Sequence, residues 1–440
     1  MEDERNEKYA GILGEMIRCR TVSVAGGENE DGFPEFRHLV KRLFPNLFKV
    51  TGEPETILGA FFMKWPGKKS DAPIMLMSHH DVVSVGGEWK HPAFSGEIAG
   101  GKIWGRGTLD TKGSLFAILM AADELAAEGF VPENDIWFES DSREETDGEG
   151  ARLVVEELAK RGIRFKFVID EGGMILFEPV GGAKGTFAMV GVGEKGTCDL
   201  KFTAVSSGGH GSTPGKNTPL VRLGKFMADV EKSDCFEVEI APVIEEMFVR
   251  LSASMSGAMK FLFKNAKFFK PLLKIALPKI SATTNALVRT TLAFTMAKGS
   301  DGRNVIPTEA YVTGNMRFSH HQGRDSSVAE IKKIADRYDV RVEIIEPGIE
   351  SKISDYNAEG FKTVEKAIAE VFPGVTAAPY LMTGASDCRF FDKVSDCCLR
   401  FAPYTISEEQ LHSIHGENEC VDFETLAPAV DFFRCIIKGQ

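Results

Sequence analysis

Five short segments, far apart along the chain, carry clusters of side chains that bind divalent metal ions. They are residues 78–83, 105–110, 143–145, 169–172 and 415–419, and they hold histidines, aspartates and glutamates. Imidazole nitrogens and carboxylate oxygens suit zinc and its neighbours. Two divalent ions about 3.5–4 Å apart also need a shared carboxylate between them to offset their repulsion. The set therefore predicts the chemistry of a two-metal hydrolase.

The candidate ligands directly follow predicted strands, which explains how such distant residues can meet. The apolar runs and the acids or histidines after them are 74–77 with His79 and Asp81, 136–138 with Glu144 and Glu145, and 165–169 with Asp170. In sheets of the α/β class, ligands bind outside the carboxyl ends of the strands. Three strand ends are therefore expected to face one site.

Strand and helix patterns alternate over most of the chain. Helical patterns at 114–127 and 150–160 separate the apolar runs, which is typical of an α/β protein with a mainly parallel sheet sandwiched by helices. Around residue 195 the order changes to βαββαβ, which predicts an inserted α+β domain. The predicted division is 1–194 with 355–440 for one domain and 195–354 for the insertion.

Length, charge and cysteine usage restrict the class of protein. The 440 residues allow two or three domains, and the net charge of −12 repels phosphate backbones, so we expect no nucleic-acid partner. The first residues lack an apolar signal sequence, and no run of about 18 apolar residues occurs. The eight cysteines form no C-x-x-C pair, which favours reduced thiols. The cytoplasm is the expected location.

A glycine-rich segment, 191–196, matches the dinucleotide-binding pattern G-x-G-x-x-G. A true motif of that kind must open a helix, whereas residues 197–202 have strand character. We therefore interpret the segment as a hinge between two domains and expect no nucleotide.

Two adjacent acids, Glu144 and Glu145, can divide the labour of hydrolysis. One can bind metal while the other accepts the proton of an attacking water. Asp81 stands two residues after His79, close enough to accept the second imidazole N–H and fix the ring orientation.

In this order, the segments resemble the aminoacylase, glutamate carboxypeptidase and succinyl-diaminopimelate desuccinylase family of di-zinc metallopeptidases, over essentially the whole chain. Residues 89–92, 170–173 and 289–291 make it most similar to the carboxypeptidase S, or Gly-Xaa carboxypeptidase, branch. The resemblance implies release of a C-terminal amino acid from short peptides or N-acyl amino acids. It also implies two zinc ions per subunit, with cobalt or manganese as possible substitutes.

The resemblance also assigns the metal ligands and the base. It implies that the ligands are His79, Asp110, Glu145, Asp170 and His415. Asp110 would bridge the two ions and precede a cis peptide bond, and Glu144 would be the general base for attack by a zinc-bridging hydroxide. Relatives differ in which of two neighbouring acids ligates, here Asp170 or Glu171. Asp170 is preferred because it closes the predicted strand.

The inserted segment carries further matches. Residues 208–214 resemble the lid of the family, in which a histidine of the partner subunit stabilises the oxyanion, so His210 is expected to act in trans. Asn304 and Arg317 match positions that grip the substrate carboxylate, although a surface salt bridge is the simpler role for Arg317. Gly384 lies in a segment that resembles a glycine-rich substrate loop. A homodimer formed through a lid and dimerisation domain is therefore implied.

One stretch departs from ordinary lid composition. Residues 259–280 hold six lysines and no acidic residue among many large apolar side chains. The domain prediction places this basic, apolar elaboration, about 236–280, in the insertion. It could be helices packed on the lid, a cover over a hydrophobic substrate channel, or a membrane contact. The first interpretation is preferred, and membrane contact is not expected.

Two other functions remain open on the sequence. A dipeptidase or an N-acyl-amino-acid deacylase of the same family would use the same metals with a different pocket size. A non-catalytic metal-binding scaffold on this fold is the alternative outside enzymes. The intact Asp81, Glu144 and ligand positions argue against a scaffold, because loss of the base is the simplest route to inactivity.

Overall fold

The chain forms a large mixed sheet covered by helices and a smaller antiparallel sheet. The computed structural model describes residues 2–24 and 32–440. Within these residues the strands are β1 (Glu55–Ile57), β2 (Ala60–Trp65), β3 (Lys69–Met77), β4 (Glu97–Ala99), β5 (Lys102–Trp104), β6 (Asn134–Ser140), β7 (Phe167–Asp170), β8 (Ile175–Phe177), β9 (Thr186–Glu194), β10 (Gly196–Val205), β11 (Gly209–His210), β12 (Thr291–Lys298), β13 (Val305–Ile306), β14 (Glu309–Phe318), β15 (Arg341–Glu346), β16 (Thr376–Met382), β17 (Cys398–Arg400), β18 (Thr405–Ile406) and β19 (Cys420–Asp422).

Helices connect most of these strands. In chain order they are α1 (Glu2–Arg18), α2 (Gly32–Leu43), α3 (Pro45–Thr51), α4 (Lys112–Ala127), α5 (Glu149–Lys160), α6 (Pro219–Lys232), α7 (Pro242–Leu251), α8 (Gly257–Lys264), α9 (Ala266–Ile280), α10 (Ala282–Val288), α11 (Gly323–Asp336), α12 (Glu359–Val371), α13 (Cys388–Phe391), α14 (Glu408–Ser413) and α15 (Leu426–Lys438). Among the described residues, no helix is long and apolar enough to cross a membrane.

The large sheet has ten strands in the order β1-β2-β6-β3-β7-β17-β9-β8-β18, with β16 also paired to β9. Its centre is parallel, since β3 pairs in parallel with both β6 and β7. Side chains alternate between two cores: Ile74 and Leu76 pack with α4 and α15, whereas Met75 and Met77 pack with α5 and α13. The predicted α/β fold with helices on both faces is confirmed.

The smaller sheet is antiparallel, with the order β12-β14-β10-β15, and α6 and α11 pack against it. The predicted βαββαβ order is confirmed. A single residue, Lys195, separates β9 of the large sheet from β10 of the small one. The domain boundaries remain a prediction.

The apolar residues from Leu287 to Ala297 predict a strand from the sequence, but the observed strand starts later. Leu287 and Val288 end helix α10, and β12 begins at Thr291. The helix is fixed by a reciprocal cap, in which the Ser281 and Thr284 side chains each bond the other residue's backbone amide. A local cap of this kind overrides the strand preference of the apolar residues that follow.

The basic, apolar stretch packs on the large sheet, not on the small one. Buried side chains of α7, α8 and α9, namely Phe248, Phe263, Leu273 and Leu277, belong to the core that contains β9 and β16. Among the described residues, the core of the small sheet takes only Phe236 from 236–280. The preferred interpretation of helices packed on the lid is therefore wrong, because their apolar face covers the large sheet.

Candidate metal centre and active site

The centre of the site lies where three neighbouring strands of the large sheet end. Strands β6, β3 and β7 are adjacent and run parallel, so their carboxyl ends meet at one edge. His79 follows β3, Glu144 and Glu145 follow β6, and Glu171 follows β7. The sequence-based expectation that distant segments meet at strand ends agrees with this arrangement.

Asp110 lies between two histidines and uses a different oxygen for each. Its Oδ1 is 3.0 Å from His79 Nε2, and its Oδ2 is 3.0 Å from His415 Nε2. The peptide bond from Asp110 to Thr111 is cis, as the resemblance implied. A carboxylate in this position can serve two ions at once.

Each histidine also contacts a further acid, which completes two sets of donors. His415 Nε2 is 3.0 Å from Glu145 Oε2, and His79 Nε2 is 3.6 Å from Glu171 Oε1. One donor atom each from His79, Asp110 and Glu145 lie within 4.8 Å of one another, as do those of His79, Glu144 and Glu171. By direct contact, one donor set is His79 with Glu171 and the other is His415 with Glu145, and Asp110 contacts the histidine of each. The two groups within 4.8 Å have His79 in common.

The charges of these side chains fit divalent cations. Burial raises the pKa of Glu145, and the nearby Asp110 charge raises it further. Burial and the Asp110 charge likewise raise the pKa of Glu171 to about 8. Hydrogen bonds with Asp110 and Glu145 raise the pKa of His415 to about 10. Burial and mutual repulsion thus oppose the charged forms of Glu145 and Glu171, and a bound cation would offset that repulsion.

One oxygen of the cluster is buried with nothing to bond it. Among the described residues, no donor reaches Glu145 Oε1. A buried carboxylate oxygen without a donor costs about 1–3 kcal/mol or more. A cation at this position would supply the missing partner, so the donor set fits a metal on chemical grounds.

Asp170 does not contact the donor sets, whereas the sequence analysis preferred it to Glu171 as a ligand. Its Oδ1 accepts a hydrogen bond from the Glu171 amide at 2.8 Å, and its Oδ2 accepts one from the Cys388 amide at 2.9 Å. Both Asp170 carboxylate oxygens thus accept hydrogen bonds from backbone amides, whereas the Glu171 side chain points toward His79. Successive side chains at a strand end point to opposite sides, so a shift of one residue changes which acid reaches the metal centre.

A pair of substitutions decides between Asp170 and Glu171 as the ligand. We expect Glu171→Gln to weaken metal binding at least about 10–100-fold, the cost known for supporting residues alone. Asp170→Asn is expected to keep the metal and to lower stability by about 1–3 kcal/mol, because the backbone amides lose a charged acceptor. Elemental analysis after dialysis and thermal unfolding would measure both. Loss of metal in Asp170→Asn with normal binding in Glu171→Gln would restore the original assignment.

Asp81 connects the first two strand ends. It is fully buried, and its Oδ1 lies 3.2 Å from His79 Nδ1. The same carboxylate accepts the backbone amides of Glu144 and Glu145 at 3.2 and 3.1 Å, and the Ser23 hydroxyl at 2.6 Å. The position of Asp81 agrees with its predicted role in orienting His79. Asp81 also contacts the loop that carries Glu144 and Glu145.

Glu144 faces the same cavity but stands apart from the His415 donors. Its Oε1 lies 3.6 Å from Arg389 Nη1. Removal from water raises the pKa of Glu144 well above its usual range, the charge of Glu171 adds to this, and His79 and Arg389 oppose it. Arg389 lies in the glycine-rich segment around Gly384, but nothing in the sequence indicated that it would lie next to Glu144.

The loops that carry Asp110 and His415 are held together by Glu419, another residue whose role the sequence did not reveal. The buried Glu419 carboxylate accepts the amides of Gly107, Leu109 and Asp110 and the Arg106 guanidinium, the last at 2.7 Å. His415 follows α14, a short helix started by a reciprocal cap. Glu419 therefore shapes the loop that ends in Asp110. In the sequence, the signal that could have indicated this role is a glutamate four residues after His415.

A cavity of about 760 Å³ adjoins the donor sets and reaches the small sheet. Arg317 of β14 lines it, and its Nε donates to Asn315 Oδ1 at 3.0 Å. Its Nη1 is buried, and no acceptor among the described residues bonds it. Neither does any described carboxylate form an ion pair with Arg317, so the structure gives no support to the surface salt bridge. Gly384 lies on the same cavity wall.

Two predicted site residues lie elsewhere. His210 and Asn304 are exposed, next to each other at the β11–β13 pair, where the Gly211 amide donates to the Asn304 carbonyl at 2.6 Å. Neither lines the cavity of its own chain. His210 Nδ1 instead lies 2.7 Å from the Ser212 hydroxyl.

Two other histidines near the motif segments point away from the donors. His80 is buried in an apolar setting and stacks on Phe36 with ring centres 5.1 Å apart. His412 is exposed on α14. Neither histidine was among the ligands predicted from the sequence.

A carboxylate between two histidines, with further acids beside them at parallel strand ends, is a donor arrangement typical of metal-dependent hydrolases. Residues 75–439 match Peptidase family M20/M25/M40, and the chain belongs to that family. It is accordingly a metallohydrolase that acts on amide bonds. Peptidases of this family use divalent metals, typically zinc. The resemblance inferred from the motifs is confirmed.

Individual relatives match over nearly the whole chain. The N-fatty-acyl-amino acid synthase/hydrolase PM20D1 of Xenopus tropicalis is 30% identical, over 100% of this chain and 87% of its own length. The probable carboxypeptidase S-like 2 of Dictyostelium discoideum is 30% identical, over 98% and 85%.

Solved structures share the fold at lower identity. The M20 family metallo-carboxypeptidase Sso-CP2 from Sulfolobus solfataricus superposes with a TM-score of 0.71 at 16% identity, covering 97% of both chains. Human carnosine dipeptidase 1 gives 0.68 at 14% identity, covering 99% of this chain and 96% of its own.

Proposed function

We propose that the cavity hydrolyses the amide bond between an acyl or peptidyl group and a C-terminal amino acid. The observation that carries this proposal is the buried, unpaired nitrogen of Arg317, which lines the same cavity as Glu144 and the donor sets. A guanidinium matches a carboxylate with two parallel hydrogen bonds. The names of two relatives, an N-fatty-acyl-amino acid synthase/hydrolase and a probable carboxypeptidase S-like protein, favour the same substrates.

We assign two zinc ions to the two donor sets. His79 and Glu171 would hold one ion, His415 and Glu145 the other, and Asp110 both. When bound, such ions polarise a carbonyl and lower the pKa of water from about 15.7 toward about 7.

Glu144 acts as the general base and then as the general acid. As a water oxygen bonds to the amide carbon, Glu144 accepts the proton of that water. It then gives the proton to the amide nitrogen as the C–N bond breaks, which releases the free amino acid. Arg389, beside Glu144 Oε1, holds the carboxylate toward the cavity.

The partner subunit supplies the rest of the site in this proposal. His210 and Asn304 are exposed, adjacent and remote from the cavity of their own chain. In a homodimer formed through the small sheet, His210 would donate to the developing oxyanion and Asn304 would join Arg317 on the carboxylate.

The first test is the free carboxylate of the substrate. Arg317→Met is expected to lower kcat/KM for an N-acyl amino acid about 30-fold or more, mainly through KM, because a charged hydrogen bond is lost. The parent enzyme should discriminate against the matching carboxamide, and the variant should not. Release of free amine measures both, and a panel of dipeptides and N-acyl amino acids of different chain length decides between acyl and peptidyl preference.

The exposed Arg341 of β15 provides the matched control. Arg341→Met should behave like the parent on both substrates. Equal rates of the parent on the acid and the carboxamide would remove the role proposed for Arg317.

The second test concerns the partner subunit. His210→Ala and Glu144→Ala homodimers are each expected to be inactive, whereas mixed dimers carry one intact site and should recover up to about half of the activity per mixed dimer. Subunit exchange is verified with two affinity tags, and turnover is measured after mixing. Absence of recovery despite verified exchange would place His210 outside the reaction or in its own subunit.

We also propose the cytoplasm as the working compartment. All eight cysteines are free thiols, and six of them are buried. Thiols stay reduced in that compartment.

A further inference from the structure

Helix α9 has two apolar faces, and only one of them is covered. Its buried side chains are Ala266, Leu273 and Leu277, which join the core of the large sheet. Phe268, Leu272 and Ile275 are 81%, 53% and 64% exposed. At 3.6 residues per turn these three fall within about 60° of one another, on the side opposite the buried face. The helix therefore presents an apolar stripe to solvent.

Helix α8 extends this stripe into a continuous patch. Phe261 is 63% exposed, and its ring centre lies 5.5 Å from that of Phe269. Phe269 in turn contacts Phe268 at 5.1 Å. Two aromatic contacts thus join Phe261 of α8 to the stripe of α9. We call Phe261, Phe268, Leu272 and Ile275 the α8–α9 patch.

Lysines surround the patch, in a chain whose net charge is −12. Lys270 and Lys274 form ion pairs with Glu239. Among the described residues, no carboxylate lies within ion-pair distance of Lys264, Lys267 or Lys279, all of which are exposed. These three lysines therefore leave uncompensated positive charge beside the patch.

We propose that the α8–α9 patch docks the protein on the surface of an anionic lipid bilayer. The apolar side chains would enter the boundary between headgroups and acyl chains, and the free lysines would lie at the lipid phosphates. A second copy of the chain fits less well, since face-to-face pairing would bring two sets of unpaired lysines together. The sequence analysis preferred helices packed on the lid and did not expect membrane contact.

Vesicle co-sedimentation tests the apolar part of the proposal. The parent protein should sediment with vesicles of phosphatidylcholine and phosphatidylglycerol. The double variant Phe268→Ser with Ile275→Ser should lose about tenfold or more of this binding, because two anchors become polar. The matched control is Phe177→Ser, which changes a side chain that is 67% exposed on β8 and should leave binding unchanged.

A second set of variants tests the contribution of the lysines to vesicle binding. Lys264→Glu with Lys267→Glu should abolish most binding to anionic vesicles, whereas Lys332→Glu on α11 should not. Added salt and pure phosphatidylcholine should both weaken binding of the parent. Circular dichroism and turnover of a water-soluble substrate check that all variants are folded and active.

Three results would overturn the proposal. They are no sedimentation of the parent with anionic vesicles, equal sedimentation of the Phe268→Ser, Ile275→Ser variant, and a dimer in sedimentation velocity that this variant abolishes. The last result would assign the patch to a second copy of the chain. None of these results bears on the proposed hydrolysis, which is measured separately on the soluble substrate.

Discussion

Replacing Glu144 with glutamine is expected to lower kcat about 10²–10⁴-fold while both metal sites stay filled. Glutamine keeps the shape of the side chain but cannot accept the proton of the attacking water. Glu144 lies near His79 and Glu171, but the proposed ligands of both ions do not include it. All of those ligands stay in place in the variant, so the metal sites should remain filled. Steady-state kinetics and elemental analysis of the same preparation measure the two effects.

A second acid on the cavity wall serves as the control for this result. Glu346 lines the cavity from the small sheet. Glu346→Gln should change kcat by less than about twofold, as is usual for surface substitutions away from the chemistry. If Glu144→Gln kept parent-like turnover, the base would have to be sought elsewhere; if it lost metal, Glu144 would be a ligand.

Asp110→Asn is expected to weaken metal binding at both sites more than about a hundredfold and to remove most activity. Asp110 uses one oxygen for His79 and the other for His415, so a single substitution affects both donor sets. The amide also lacks the charge that offsets two neighbouring cations. Metal content after dialysis against a weak chelator, followed by activity with added zinc, measures the loss.

Asp147→Asn is the matched control, because Asp147 also lines the cavity but pairs with Arg143 on the exposed rim. It should bind metal like the parent protein. Retention of two ions and parent-like activity in Asp110→Asn would contradict the bridging position.

The sequence was sufficient for the fold and for most of the metal centre. The strands before His79 and Glu144 contain the apolar runs 73–77 and 136–138. Parallel strand ends meet at one edge of a sheet whatever lies between them in the chain. Asp110 and His415 lie on loops outside those strands, and only the family resemblance predicted their place. Alternation along β3, with Ile74 and Leu76 in one core and Met75 in the other, explains why these runs are apolar throughout.

The choice between Asp170 and Glu171 could not be made locally. It depends on the backbone amide of Cys388, which is 218 residues away and captures one Asp170 oxygen. Propensity and periodicity describe neighbours along the chain and contain nothing about such a contact. The packing of α9 on the large sheet was hidden for the same reason, because helical spacing shows that a face is apolar but not which surface covers it.

Asp81 has a consequence for the precision of the site under thermal motion. One carboxylate holds His79 at the end of β3 and the amides of Glu144 and Glu145 beyond β6. When either strand end is displaced, the histidine and both glutamates are carried along together, so their mutual distances change less than their positions. The distances between the base and the ligands are then set by the lengths of a few hydrogen bonds. The catalytic geometry can therefore be kept without two rigid loops.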